Sequence, residues 1–272
     1  MNLLFLAGIV AVAVAAGVSL MYAVRRAARA DYFLTDTTRG SAIFGVVGTA
    51  FAVLLAFVMF VAFQSYTNAR DASTAEASAV GRMFRTAQFF DPAQSDELHD
   101  QLVCYGRAIV HQEWPAMADG ESSQVVDQWR LDLEDTIRQL DQRTPLEQSG
   151  FRQLLQERDI RSETRRDRLT EADPVVSAPV WVILGLGGAA TIGFVLLFTD
   201  RRESFAVQAA LMATVAAMVA ASLMLVWFLD HPYEGENGSI EPTEMERTVA
   251  NMEAERPGLS PDCTASGDPR PA

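Results

Sequence analysis

The sequence predicts an all-α membrane protein: four transmembrane helices, with a helical extramembrane domain inserted between the second and third spans. Three observations predict it. Residues 2–24, 42–63, 178–199 and 205–229 are apolar segments with almost no charge inside. A hydrocarbon core of ~30 Å takes roughly 20 helical residues, so each segment is long enough to cross it. The polar stretch 66–177 places its apolar residues at helical spacing, and no run of alternating β-branched residues competes with that reading.

The first span is not a cleaved leader. Only Met1 and Asn2 precede its apolar run, and Arg25, Arg26 and Arg29 follow it, the reverse of a signal peptide's order. It reads as a retained anchor with its N-terminus outside. Short arginine-bearing loops tend to stay in the cytoplasm. The loops 25–40 and 200–204 both carry arginine, and four spans put both on one side. Residues 66–177 then lie outside the cytoplasm. The domain division is 1–64 for the first two spans with the cytoplasmic loop 25–40, 65–177 for the extramembrane domain, 178–229 for the last two spans, and 230–272 for a tail.

The second span does not end at the membrane. No proline interrupts residues 41–91, and the stretch after Phe63 is rich in Ala, Arg, Met and Glu, which are good helix formers. One helix of roughly 45 residues is expected, about 65–70 Å long. Three further helices follow. Leu98, Leu102, Tyr105, Ile109 and Val110 mark the first, before Trp114-Pro115. Val125, Val126, Trp129, Leu131, Leu133, Ile137 and Leu140 mark the second, which ends near Thr144-Pro145. The third runs from Leu146 to about Glu171, with Phe151, Leu154, Leu155, Ile160 and Leu169 among dense charges. Its arginines (Arg158, Arg161, Arg165, Arg166 and Arg168) alternate with acids, and Glu157–Arg161 has the spacing of an intrahelical ion pair. That face reads as a solvated helix surface, with anion attraction the less favoured alternative.

Charge and cysteine content exclude several classes. The formal charge is −13, and all 22 basic residues are arginine, which fits a GC-rich bacterial genome. No basic stripe invites nucleic acid. His99, His111 and His231 are scattered, so neither a metal nor another cofactor is expected. Cys104 and Cys263 pair only if both face an oxidising compartment; two unpaired thiols are the default reading. The acidic tail is rich in Pro, Glu, Gly and Ser, which predicts disorder over 233–272. Asn237-Gly238-Ser239 is a formal glycosylation acceptor without weight in a bacterium. No phosphate loop, nucleophile elbow or zincin signature occurs, so an enzyme is not expected. His111 and Glu113 read as surface polar residues at a helix end rather than an acid–base pair.

The spans carry no interior Asp, Glu, Arg or His, which argues against an active transporter and leaves a passive pore open. Gly45, Gly48, Ala52 and Ala56 form a small-residue stripe on the second span, suited to close helix packing. Gly187, Gly188, Ala190 and Gly193 on the third span, and Ala209, Ala213, Ala216 and Ala220 on the fourth, repeat the pattern.

Short motifs in a fixed order resemble the bacterial bestrophin-like membrane protein family. Tyr66-Thr67-Asn68-Ala69-Arg70 and Glu76-Ala77 follow the second span. Tyr105-Gly106-Arg107-Ala108 leads to Glu113-Trp114-Pro115. An Arg-rich helix then precedes the third span, and Asp230-His231-Pro232-Tyr233-Glu234-Gly235 closes the fourth. The match runs over roughly residues 41–245. The resemblance implies a pentameric ion channel with a hydrophobic neck on the second span. Phe57, Phe60 and Phe63 are the candidate constriction, and Gln64, Ser65 and Asn68 the candidate pore mouth. The expected partners are membrane lipid, further copies of the chain and a permeant ion, in the bacterial inner (plasma) membrane. Two features depart from bestrophins: they keep their large helical region in the cytosol, and no acidic cluster here resembles their calcium clasp. A non-conducting scaffold or sensor, whose external domain binds a partner, is the rival reading.

Overall fold

A computed structural model describes residues 3–27, 37–198, 203–234 and 238–270. Arg29 with most of the loop 25–40, Asp200, Arg201 and Arg202 of the second loop, and Gly235 and Asn237 lie outside the described residues. The described residues are helical, with no strand among them beyond an isolated bridge between Cys263 and Pro269. The chain divides into two compact units. Unit 1 holds residues 1–65, 174–230 and 234–239; unit 2 holds 66–173, 231–233 and 240–272.

Unit 1 contains α1 (Leu3–Ala27), the first half of α2 (Thr37–Ala87), α7 (Ala178–Leu197) and α8 (Phe205–Asp230). Each of the four is long and apolar enough to cross a membrane. Small residues set their contacts. Gly17 of α1 lies against Ala216 and Met212 of α8, where an added Cβ would stand 3.3 Å from the Ala216 Cβ. Gly188 of α7 fits against Val219 of α8, and Gly187 leaves room for the ring of Phe51 on α2. At one end of this bundle the Arg25 guanidinium donates to Gln208 Oε1 at 3.0 Å and to the Glu203 carbonyl at 2.9 Å. The Asp230 carboxylate closes α8 by accepting the Val176 N–H at 2.8 Å.

The α2 helix is continuous over 51 residues, about 76 Å of rise. Its second half supplies Ala77, Val80, Met83, Phe84 and Ala87 to the core of unit 2. Asp91 then caps α3 (Pro92–Ala108), its side chain accepting the Ala93 N–H, with Pro92 in the first turn where no N–H is needed. A π turn over Ile109–Glu113 leads into the short α4 (Trp114–Met117). Next come α5 (Gln124–Arg138) and α6 (Pro145–Thr170), the latter opened by a capping box between Thr144 and Glu147. The apolar core brings Leu98, Leu102 and Tyr105 of α3 together with Val126, Trp129 and Leu133 of α5.

The tail corrects the prediction of disorder. Residues Thr243–Glu255 form α9, whose Met245, Val249 and Met252 enter that same core. These three recur at i, i+4 and i+7, an amphipathic stripe that the surrounding glutamates hide from a composition argument. Cys263 forms a disulfide with Cys104 of α3, against the expectation of free thiols. Beyond α9, Trp129 donates its indole N–H to the Gly267 carbonyl at 2.7 Å, and within α9 Glu253 accepts from the fork of Arg107. Gly267, at φ +84°, lies so close to the Ala108 backbone that no Cβ fits.

Candidate functional site

On α2 the residues of unit 1 sort into two faces. Phe51, Val58, Ala62 and Ser65 are buried. Val46, Val53, Phe57, Phe60 and Phe63 are exposed, the three phenylalanines at 65%, 64% and 55%. A helix turns about 100° per residue, so Phe60 sits at the middle of the exposed face with Phe57 and Phe63 about 60° to either side. Gln64 lies about 40° from Phe60 and is also exposed. Ser65 lies about 140° from Phe60 and is buried at 7%, so it does not share this face with Gln64. Asn68 is exposed, and its amide donates to Glu171 Oε1 at 3.2 Å.

The small-residue stripe behaves differently from its expected role. A Cβ added at Gly45 or Gly48 would meet nothing within 4 Å, and Ala52 and Ala56 are exposed. Within the chain, close packing falls instead on Gly17, Gly187 and Gly188. Gly45, together with Val46, Val53 and Phe57, borders an open apolar groove of about 1050 Å³.

Unit 2 holds a charged cluster that the sequence reading placed on the surface. The buried stripe of α6 runs Gly150, Leu154, Glu157, Arg161, Arg165 and Arg168. Arg168 is fully buried and donates through Nε to Glu76 Oε2 at 2.7 Å and through Nη2 to Glu113 Oε2 at 2.5 Å. Arg165 reaches Glu113 Oε1 at 2.5 Å and Asp127 Oδ1 at 2.9 Å. Tyr105 donates its hydroxyl to the other Glu76 oxygen at 2.7 Å. The Arg168 guanidinium also stands 5.2 Å from the centre of the Trp114 ring, and Arg161 stands 5.0 Å from that of Tyr105.

Three expectations fall here. The Arg-rich face of α6 is not solvated, since Arg161, Arg165 and Arg168 point into unit 2. Glu157 pairs with Arg82 at 2.6 Å rather than with Arg161. Glu113 is a buried ligand of two arginines, while His111 remains exposed, so the two do not form an acid–base pair. Glu113 shares the buried face of the π turn with Ile109.

The electrostatics follow from this packing. Burial disfavours the Glu113 carboxylate, but Arg168 and Arg165 outweigh it and hold its pKa below the ordinary glutamate value. Burial likewise opposes the charges on Arg165 and Arg168, and the glutamates more than compensate, so both stay protonated. Burial and the adjacent Glu76 raise the Tyr105 phenol. Burial pushes Tyr233, which meets Ser73 Oγ at 3.3 Å, up to about 12. Glu76, Glu113, Arg165 and Arg168 are therefore closed on one another, each with opposite charge at hydrogen-bond distance, a structural arrangement rather than a reactive one. Among the described residues no group of His, Cys, Asp or Glu is placed to hold a metal ion.

Comparison with known proteins places this arrangement. The bestrophin-like domain matches residues 9–245. No curated protein matches the chain. A crystal structure of a point-substituted bacterial bestrophin homologue from Klebsiella pneumoniae is similar at a TM-score of 0.70 and 14% identity, covering 93% of this chain and 99% of that one. A second substituted form gives 0.69 at 15% identity, over 91% and 98%. Another crystal structure of a homologue from that organism gives 0.67 at 13% identity, over 96% and 100%. At such identities the structural likeness speaks for the fold, while the domain match extends over most of the sequence. The chain belongs to the bestrophin-like family.

Proposed function

We propose that this protein is an oligomeric passive ion channel of the bacterial inner membrane, with the exposed face of α2 lining its axis. The observation that carries the reading is that face itself: an uncharged apolar stripe from Val46 to Phe60 that stays exposed among the described residues. In a ring of copies, Phe60 would form the constriction, flanked by Phe57 and Phe63. Gln64 and Asn68 would form its mouth, and Ser65, buried on another face, is left out. Such a neck controls flux by dewetting, because a narrow apolar passage holds water poorly. Gly45, Gly48, Ala52 and Ala56, unused within the chain, would then meet a neighbouring copy.

The Cys104–Cys263 disulfide supports an extracytoplasmic placement of unit 2, because cytoplasmic thiols are kept reduced. The arginine-bearing short loops point the same way. Both native cysteines are in the bridge, so a cysteine introduced at exposed Arg143 is the sole free thiol. A membrane-impermeant maleimide should label it in spheroplasts without lysis. Labelling only after lysis would invert the topology.

Purified protein in liposomes tests conduction, with chloride and potassium gradients compared. Flux above that of empty liposomes establishes a channel and names its ion. No flux across several pH and calcium conditions favours a scaffold that binds a partner through unit 2.

A further inference from the structure

Between α5 and α6 unit 2 carries a cleft of about 680 Å³ that the charged cluster does not fill. Arg158, Ser162 and Arg166 line it from α6, and Arg130 and Glu134 from α5. Acids are present too, but they engage the arginines incompletely. Arg158 meets Asp159 through Nη2 at 3.2 Å, while its Nε is buried and has no acceptor. Arg166 forms no ion pair among the described residues. Behind the lining lies Arg161, fully buried, whose Nη2 reaches two cleft groups: Ser162 Oγ at 3.3 Å and Glu134 Oε1 at 4.0 Å. Its Nε and Nη1 have no acceptor at all.

A buried guanidinium with two idle nitrogens is costly, because the charge is desolvated and their N–H donors meet no acceptor. Arg165 and Arg168, four and seven residues further along the same stripe, are fully engaged by Glu113, Glu76 and Asp127. The deficit is therefore specific to Arg161, which lies behind the cleft lining, whereas Arg165, which lines the cleft, is paired. A guanidinium fork matches an oxyanion geometrically, and Arg158 and Arg166 line the cleft with Arg161 behind them.

We propose that this cleft binds a small oxyanion of the phosphate or sulfate class, held by Arg158 and Arg166 and completed by Arg161. The site is separate from the α2 face and does not depend on conduction. Full-length protein in detergent is titrated calorimetrically with sodium sulfate and, separately, sodium phosphate, at constant ionic strength set with sodium chloride. Saturable binding is expected for at least one of them. Arg158→Gln and Arg166→Gln should each weaken it about tenfold or more, since each removes a charge-assisted bond. Arg143→Gln, on an exposed residue that does not line the cleft, should leave it unchanged. Arg161→Gln is avoided because that side chain also stacks on Tyr105 in the core. No saturable heat into the millimolar range would mean that water alone meets the idle donors, and would overturn the proposal. Equal affinity in the wild type and both variants would overturn it as well.

Discussion

Replacing Glu113 by Gln keeps the shape of the side chain and removes the charge that two buried guanidinium groups share. Glu113 accepts from Arg165 Nη2 and Arg168 Nη2, both at 2.5 Å, and all three residues are at most 8% exposed. Glu76 and Asp127 would still hold one arginine each. The amide nitrogen of Gln, however, would point a donor at a guanidinium. Breaking one side of a buried ion pair costs about 3–5 kcal/mol, because the remaining charge is left uncompensated. At roughly 2–4 °C per kcal/mol for a large domain, unfolding should begin about 6–20 °C lower. Asp135→Asn provides the contrast. Its pair with Arg138 is 63% and 69% exposed and is worth about 0–1 kcal/mol. Thermal unfolding of full-length protein in detergent, followed by tryptophan fluorescence, measures both, and Trp114 lies against Arg168 as a local reporter. The pH dependence adds a second reading. The Glu113 pKa is depressed in the folded state, so its contribution is complete above the unfolded value of about 4.3 and is lost as pH falls through the folded value. Acidification below about pH 4 should therefore destabilise the wild type more than Glu113→Gln. A Glu113→Gln loss under about 1 kcal/mol, no larger than that of an exposed pair, would refute the idea that this carboxylate is ionised and holds the cluster together.

Other perturbations test the way the tail is held. Cys104→Ser opens a covalent link between residues separated by 159 positions, and should cost about 2–5 kcal/mol in unfolding experiments without reductant. The same variant in the presence of reductant should match reduced wild type. Gly267→Ala places a Cβ against the Ala108 backbone at positive φ, and should lower stability by about 2 kcal/mol or more. Gly258→Ala, with open space around it, should be close to neutral. Equal stability for the two alanine variants would show that the segment around Gly267 is not seated on α3.

The sequence and the structure agree most closely where apolar periodicity reports burial. The four long spans, the uninterrupted α2 and the helices before Thr144 follow from residue spacing and proline position. The buried stripe of α6 was missed because its periodic residues are charged. Arg161, Arg165 and Arg168 continue the register of Leu154 at intervals of three, four and seven, which is the signature of a buried face written in arginine. Glu76 and Glu113, each beside small or aromatic residues in the shared motifs, are the partners that make such a face tolerable. The tail was misread for a related reason. Glutamate and proline dominate its composition, while Met245, Val249, Met252 and one cysteine carry its apolar and covalent anchorage. The small-residue stripe on α2 was legible as a stripe, but residue size alone does not say which helix it meets. Ser65 shows the same limit: adjacency in sequence to Gln64 places it a third of a turn away, on the buried side.

The most direct test of the account is the single-channel conductance of Phe60→Ala beside wild type in planar bilayers. Phe60 sits at the centre of the exposed α2 face, with 64% of its surface free in the protomer. If that face lines the axis, removing the ring widens and wets the narrowest point, and unitary conductance rises. Conductance unchanged in Phe60→Ala, in a wild-type protein that conducts, would place the pore away from this face and contradict the account.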